Sequence, residues 1–210
     1  MKKKLLIVAL LFSVNNVFAD NKSYDVKSGI IEYAIVAEKD ASSKDYIKGN
    51  SKLYFKNFGA TEIVDTTMTQ VLFGEEEKER TIVKIDKDNM YTVDFEEETI
   101  YSQKLLSDEN GINRMLLNKE NLLKMGAKSI GTETLLGYKC DVWQLGEDRI
   151  WTYNGVSLKQ ISKSSSGMQL QEAKIANFNI EIKDDKFKLP NFPIKQMNEM
   201  IINEEQEGEF

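Results

Sequence analysis

The sequence predicts a mainly β protein with minor α content. Its expected form is a strongly curved antiparallel sheet, a half barrel, of about ten or eleven strands with one or two helices on its concave side. Three observations predict it. Short segments with a period of two recur along most of the chain. The only two prolines, Pro190 and Pro193, fall near the end, so nearly every backbone amide before them is free to join a ladder. A single stretch of helical spacing, residues 111–125, separates two groups of strands. A sheet of that many strands curls rather than staying flat.

The first residues read as a leader. Met1-Lys2-Lys3-Lys4 is cationic, Leu5 to Phe12 is apolar, and Val17-Phe18-Ala19 offers a small-residue cleavage site before Asp20. The apolar run falls short of the ~20 residues a membrane span needs. Residues 1–19 are therefore expected to be a signal peptide cleaved after Ala19, giving an exported, periplasmic protein. No cysteine follows the site to carry a lipid. The organisation expected is a signal peptide over 1–19, one curved-sheet domain over 20–193, and a short amphipathic segment with an acidic tail over 194–210.

After a polar stretch at 20–28, expected to fray, the first strand is Gly29–Glu38, with Ile31, Tyr33 and Ile35 on one face. Asn50–Asn57 alternates next, and 62–73 forms a long Thr-rich strand. Gly74 to Lys78 reads as a turn or solvated loop. Arg80–Ile85, Met90–Phe95 and Thr99–Gln103 make a meander joined by Asp86-Lys87-Asp88-Asn89 and Glu96-Glu97-Glu98. In 111–125, Ile112, Met115, Leu116, Leu122, Leu123 and Met125 recur at helical spacing, with a break near Asn118 and Gly126 as the C-terminal cap. Strands follow over Lys128–Thr134, Tyr138–Leu145, Arg149–Tyr153, Val156–Ser162 and Met168–Ile182. Asn154-Gly155 carries hairpin-turn chemistry. Phe187 to Pro190 ends the sheet, and Ile194, Met197, Met200 and Ile201 can share one side of a short helix.

Composition narrows the function. The leader holds three of the 28 basic residues and none of the 34 acidic ones, so the remaining domain is more acidic than the whole-chain charge of −6. That balance disfavours nucleic acid and anionic lipid headgroups. Histidine is absent, which removes the commonest general base and metal ligand. Cys140, the only cysteine, alternates with Tyr138 and Val142 and reads as a buried structural thiol. The runs Glu75-Glu76-Glu77 and Glu96-Glu97-Glu98 sit in expected loops, with nothing to place two carboxylates across a cleft. Asp86-Lys87-Asp88 lacks the glycine and third ligand of a calcium loop. Lys48, Lys52 and Lys56 lie on the outward side of one strand and make no nucleic-acid stripe. Lysines and glutamates interrupt nearly every strand, against a lipid-facing outer-membrane barrel. Neither catalysis nor a metal or cofactor is expected.

One segment carries a resemblance. Residues 131–143, Gly-Thr-Glu-Thr-Leu-Leu-Gly-Tyr-Lys-Cys-Asp-Val-Trp, give the pattern G-x-E-x-x-x-G-Y-x-C-D-x-W. Ile150-Trp151 and Gly155-Val156-Ser157-Leu158-Lys159 follow it. Over roughly residues 29–190 the chain resembles an uncharacterised family of exported bacterial proteins related to the periplasmic lipoprotein-carrier (LolA-like) superfamily. The resemblance implies a curved sheet wrapped around helices, and acyl chains held on its concave face. It implies no catalytic residues. The chain departs from the carriers in having one obvious helix before residue 190.

The aromatic content suggests where a ligand would lie. Phe55, Tyr91, Trp143, Trp151 and Tyr153 are the candidate lining residues for an acyl chain, a lipid or a lipidated partner. The alternative is a filled core, in which case the chain is an envelope interaction or sensing module using an exposed strand edge.

Overall fold

The computed structural model describes residues 22–38, 46–72, 74–105, 117–164 and 167–197. Among the described residues, twelve strands form one open sheet. In chain order they are β1 (Gly29–Glu38), β2 (Tyr46–Lys56), β3 (Thr61–Leu72), β4 (Glu75–Asp86), β5 (Asn89–Asp94) and β6 (Thr99–Lys104), then β7 (Lys128–Leu135), β8 (Tyr138–Leu145), β9 (Asp148–Tyr153), β10 (Val156–Ser164), β11 (Gly167–Phe178) and β12 (Ile194–Gln196). Between β6 and β7 the described residues hold one α-helix, α1 (Lys119–Lys124). The spatial order is β12-β6-β5-β4-β3-β2-β1-β11-β10-β9-β8-β7. Neighbours are antiparallel except β12, which runs parallel to β6.

The register from β1 to β6 has no slip, so the two faces can be read strand by strand. Gly29, Phe55, Glu62, Ile85 and Met90 form one cross-strand row; Ile31, Leu53, Val64 and Val83 form the next; Tyr33, Ser51, Thr66 and Thr81 the third. These rows define the inner face. Tyr54, Ile63, Ile82, Val93 and Ile100 alternate onto the outer face.

Curvature follows from what shares a core. One buried cluster draws on strands from β3 (Val64) across to β8 (Cys140, Val142), by way of Leu53, Phe55, Ile31, Tyr33, Ala173, Leu158 and Trp151. A flat sheet would hold strands so many positions apart well out of contact, at ~4.8 Å per strand. The ladder between β10 and β11 also stops at Lys159–Glu172, so residues 173–178 of β11 pair with β1 alone. Tyr138, Tyr153 and Phe178 fill the place where the strands part, with ring centroids 4.8 to 5.0 Å apart.

Several parts differ from the sequence expectation: β11 stops at Phe178 rather than Ile182, and Phe187 to Pro190 lie off the ladder instead of ending the sheet. Residues 23–28 do not fray: Ser23, Tyr24, Val26 and Ser28 are buried. The residues from Glu75 to Lys78 are not a loop but the exposed half of β4, held by a ladder to β3 that extends to Leu72–Glu75. Ile194 opens a short strand rather than a helix, which brings the strand count to twelve. Met200 and Ile201 lie outside the described residues, as do residues 1–21 with the signal peptide, and 106–116 with the first half of the expected helix.

Asn118 is the N-cap of α1, its Oδ1 accepting from the Asn121 amide at 2.9 Å. The break expected there is thus the start of α1. Leu122 drives α1 into a cluster with Leu117, Ala127, Trp143 and Ile150, seating it against β8 and β9.

The outer face has its own cover. Residues 179–193 carry both prolines and make no ladder. They lay Ile182, Phe187, Leu189 and Phe192 over Ile63, Ile82, Val93 and Ile100. The Ile100 amide then donates to the Pro193 carbonyl at 2.8 Å, where β12 joins β6.

Candidate functional site

The inner face is closed at one end by the segment Ser23–Ser28, called here the strap. It has no strand partner, yet its alternation is strand-like: Tyr24 and Val26 point in, Asp25 and Lys27 point out. Two turns grip it. On one side lies the 3-10 turn Asn57–Gly59 between β2 and β3. The Ser23 and Tyr24 amides both donate to the Phe58 carbonyl (2.8 and 3.1 Å), and the Phe58 amide donates to the Lys27 carbonyl (2.9 Å). On the other side, the Asp25 amide donates to the Asn154 carbonyl in the β9–β10 hairpin (3.0 Å). Lys27 and Ser28 are further fixed to Asn179.

The Asn57–Gly59 turn is unusual in its backbone. Asn57, Phe58 and Gly59 have φ of 54°, 58° and 89°. Left-handed φ is rare for a side chain as bulky as Phe and costs on the order of 1–3 kcal/mol. The conformation aims the Phe58 carbonyl at two strap amides. Gly59 leaves no room for a side chain: a Cβ there would lie 2.3 Å from Ser23 Cβ and 2.9 Å from Glu62 Oε1.

Beneath the strap lies the apolar wall. Tyr24 meets Phe55 edge-on at 4.6 Å, an arrangement worth about 0.5–1.5 kcal/mol beyond burial. Val26, Ile31, Leu53, Val64, Val156 and Leu158 complete it. Glu62 interrupts the wall. It sits on β3 between Phe55 and Ile85 and is 1% exposed. Burial pushes its carboxyl well above the usual range, and the Tyr24 hydroxyl beside it pulls the other way. Tyr33 shares this environment; burial first and the Glu62 charge second raise its hydroxyl far above the ordinary tyrosine value.

The five candidate lining residues do not form one surface. Phe55 and Trp151 are buried in the strap cluster, and Tyr153 packs on its margin. Trp151 also donates to Glu133 Oε2 at 2.6 Å, with Lys159 Nζ 5.2 Å over its ring. Trp143 belongs to the α1 cluster and donates to Thr152 Oγ1 at 3.0 Å. Tyr91 lies on the outer face, beside the 179–193 cover. Sequence reasoning missed the strap and Glu62. The alternation Tyr24-Asp25-Val26-Lys27 was the signal for the strap. For Glu62 there was none, since a Glu in a Thr-rich strand reads as solvated.

A cavity of about 580 Å³ lies open on the outer face, over β1 to β4. Its walls are charged. Glu32 pairs with Lys52, and Arg80 holds both oxygens of Asp65 at 2.7 and 3.0 Å. Tyr33, Asn50, Ser51, Thr67 and Lys174 complete it. Hydrogen bonding from Arg80 and Lys52 to their acids raises both basic groups. Exposed pairs like these add roughly 0–1 kcal/mol each. Among the described residues no group of acids and Cys140 gathers as a metal site. No helix among them is long and apolar enough to cross a membrane.

No protein-family model matches the chain, and no curated protein matches it in sequence. Solved structures match in shape. An uncharacterized conserved protein of Thermus thermophilus aligns over 80% of this chain and 90% of its own, at TM-score 0.44 and 6% identity. LprF of Mycobacterium bovis aligns over 80% and 91%, at 0.36 and 9%. A LolA superfamily protein of Nitrosomonas europaea aligns over 79% and 92%, at 0.38 and 9%. One of these neighbours is a member of the LolA superfamily. Nothing about a ligand passes from them to this chain.

Proposed function

We propose that the chain is a non-enzymatic envelope protein, exported to the periplasm with cleavage after Ala19, that binds an acyl chain, a lipid or a lipidated partner on the inner face of its half barrel. The observation that carries this reading is the cover of the apolar wall. Tyr24 and Val26 occupy it from a short strap of irregular backbone, not from a helix or a second sheet. A strap gripped at two turns can leave as a unit and expose Phe55, Leu53, Ile31 and Leu158. Phe55, Trp151 and Tyr153 are then the lining residues; Tyr91 and Trp143 serve other clusters. Each buried CH₂ of an entering chain gains ~0.8 kcal/mol, enough over a long chain to replace two strap side chains.

The test is native mass spectrometry of the mature protein purified from its own envelope, with extraction of whatever it carries. Bound lipid is expected, and Phe55→Ala should reduce its recovery. A clean apo mass with no lipid in the extract overturns the reading. The charged outer cavity favours a second one, an interaction module with a filled core. In that case a protein partner co-purifies, and Arg80→Ala releases it.

A further inference from the structure

We propose that Glu62 makes the seating of the strap depend on a proton: the strap closes over a neutral carboxyl and loosens when that carboxyl ionises. The geometry is specific. The strap, the Asn57–Gly59 turn and Glu62 converge at one point, where the space beside Gly59 Cα is shared by Ser23 and Glu62 Oε1. Phe55 and Ile85, in register with Glu62 on either side, are apolar. The titratable groups facing it are Tyr24 from the strap and Tyr33 from β1. Both are hydroxyls and neither brings a positive charge. The Tyr33 hydroxyl is directed at the Ser157 carbonyl, 2.8 Å away.

A carboxylate in such a place has no countercharge among the described residues, and desolvation strongly favours its neutral form. Closing the strap therefore takes up a proton, and opening returns it to water as Glu62 becomes a solvated carboxylate. The sign follows. The closed form binds the proton more tightly, so closure is fullest below the ordinary glutamate value. As pH rises toward the elevated value of the closed form, closure weakens by up to tenfold per pH unit. Acid seats the strap and base frees it. The latch does not depend on what lies under it. Only the corollary, that an acyl chain enters more readily at higher pH, rests on the proposed function.

Hydrogen exchange of the Ser23, Tyr24 and Asp25 amides, normalised to β1 amides in the same sample, tests it from about pH 5 to 9 without any lipid. Wild-type strap protection is expected to fall with pH, by as much as tenfold per unit. Glu62→Gln, neutral throughout, is expected to be flat. A flat wild type, or a Glu62→Gln protein with the wild-type slope, overturns the proposal. Should Glu62→Gln fail to fold, Tyr24→Phe serves. It keeps the ring and removes the group that lowers the Glu62 value, so the titration of the Glu62 side-chain carboxyl carbon, read by NMR, should move to higher pH than in wild type. A Glu62 carboxyl that titrates near the ordinary ~4.3 in wild type, or does not move in Tyr24→Phe, also overturns it. Lipid recovery plays no part in these readouts, so the latch and the proposed function fail separately.

Discussion

The Tyr33 hydroxyl on β1 donates to the Ser157 carbonyl on β10 at 2.8 Å, reaching across the intervening strand β11. The bond forms beyond the point where the β10–β11 ladder ends at Lys159–Glu172: Ser157 pairs with Thr152 of β9 and has no partner on β11. It ties the curl of the sheet at its centre. Tyr33→Phe keeps the ring and orphans a buried acceptor, which costs about 1–3 kcal/mol. A melting temperature lower by several degrees is expected by calorimetry, with the β10–β11 amides exchanging faster than those of β3–β4. Uniform loss across both regions would contradict a local tie.

Gly59 and Gly126 have nearly the same backbone, φ 89° and 87°, in opposite surroundings. A Cβ at Gly126 meets nothing within 4 Å, whereas at Gly59 it meets Ser23. Gly126→Ala should cost about 1 kcal/mol, the backbone penalty alone. Gly59→Ala should cost more and should strip exchange protection from Ser23 and Tyr24. Equal losses in urea unfolding of the two variants would show that the strap is not seated on Gly59.

Much of this architecture could be read from alternation. Ile31, Tyr33 and Ile35 announced β1, and Asn154-Gly155 announced a hairpin with both residues at positive φ. Gly126 marked the end of α1. What failed has physical causes. The residues from Glu75 to Lys78 look solvated and are solvated; their strand exists because β3 offers a ladder, which side-chain pattern does not report. Ile194 looked helical because so short a strand is too brief to show a period. The aromatic residues were legible as apolar, but Phe55, Tyr91 and Trp143 went to three separate clusters, since alternation gives a face and not a location. Glu62 was invisible because burial of a carboxyl is decided by the strap, a segment distant in sequence.

Cys140 is fully buried, and burial pushes its thiol up to about 11, with the neighbouring Asp141 and Glu133 charges adding to the rise. The nucleophile is the thiolate. At about pH 8 the folded protein should therefore react with an aromatic disulfide reagent far more slowly than the urea-unfolded chain, whose thiol returns to an ordinary value near ~8.5. Rapid native labelling under those conditions would show that the wall around Tyr138 and Val142 opens.

Phe187 anchors the cover of the outer face. It is 5% exposed and packs with Ile63, Ile82, Val93 and Ile100, while Lys56 Nζ stands 4.8 Å over its ring and pairs with Asp184 at 2.6 Å. The two kinds of contact have unequal weight. The Asp184 carboxylate is held low by Lys56, but it is fully exposed, and an ion pair in water adds little. The ring is removed from water on a face that has no other layer among the described residues. Phe187→Ala should therefore cost about 3–5 kcal/mol, whereas Asp184→Asn should leave urea stability nearly unchanged. Because residues 179–193 make no ladder of their own, release of Phe187 should free the whole cover. Limited proteolysis should then cut Phe187→Ala within 179–197 first, with β1 to β6 still protected. Cleavage spread evenly over the chain would mean that the cover and the sheet unfold as one unit.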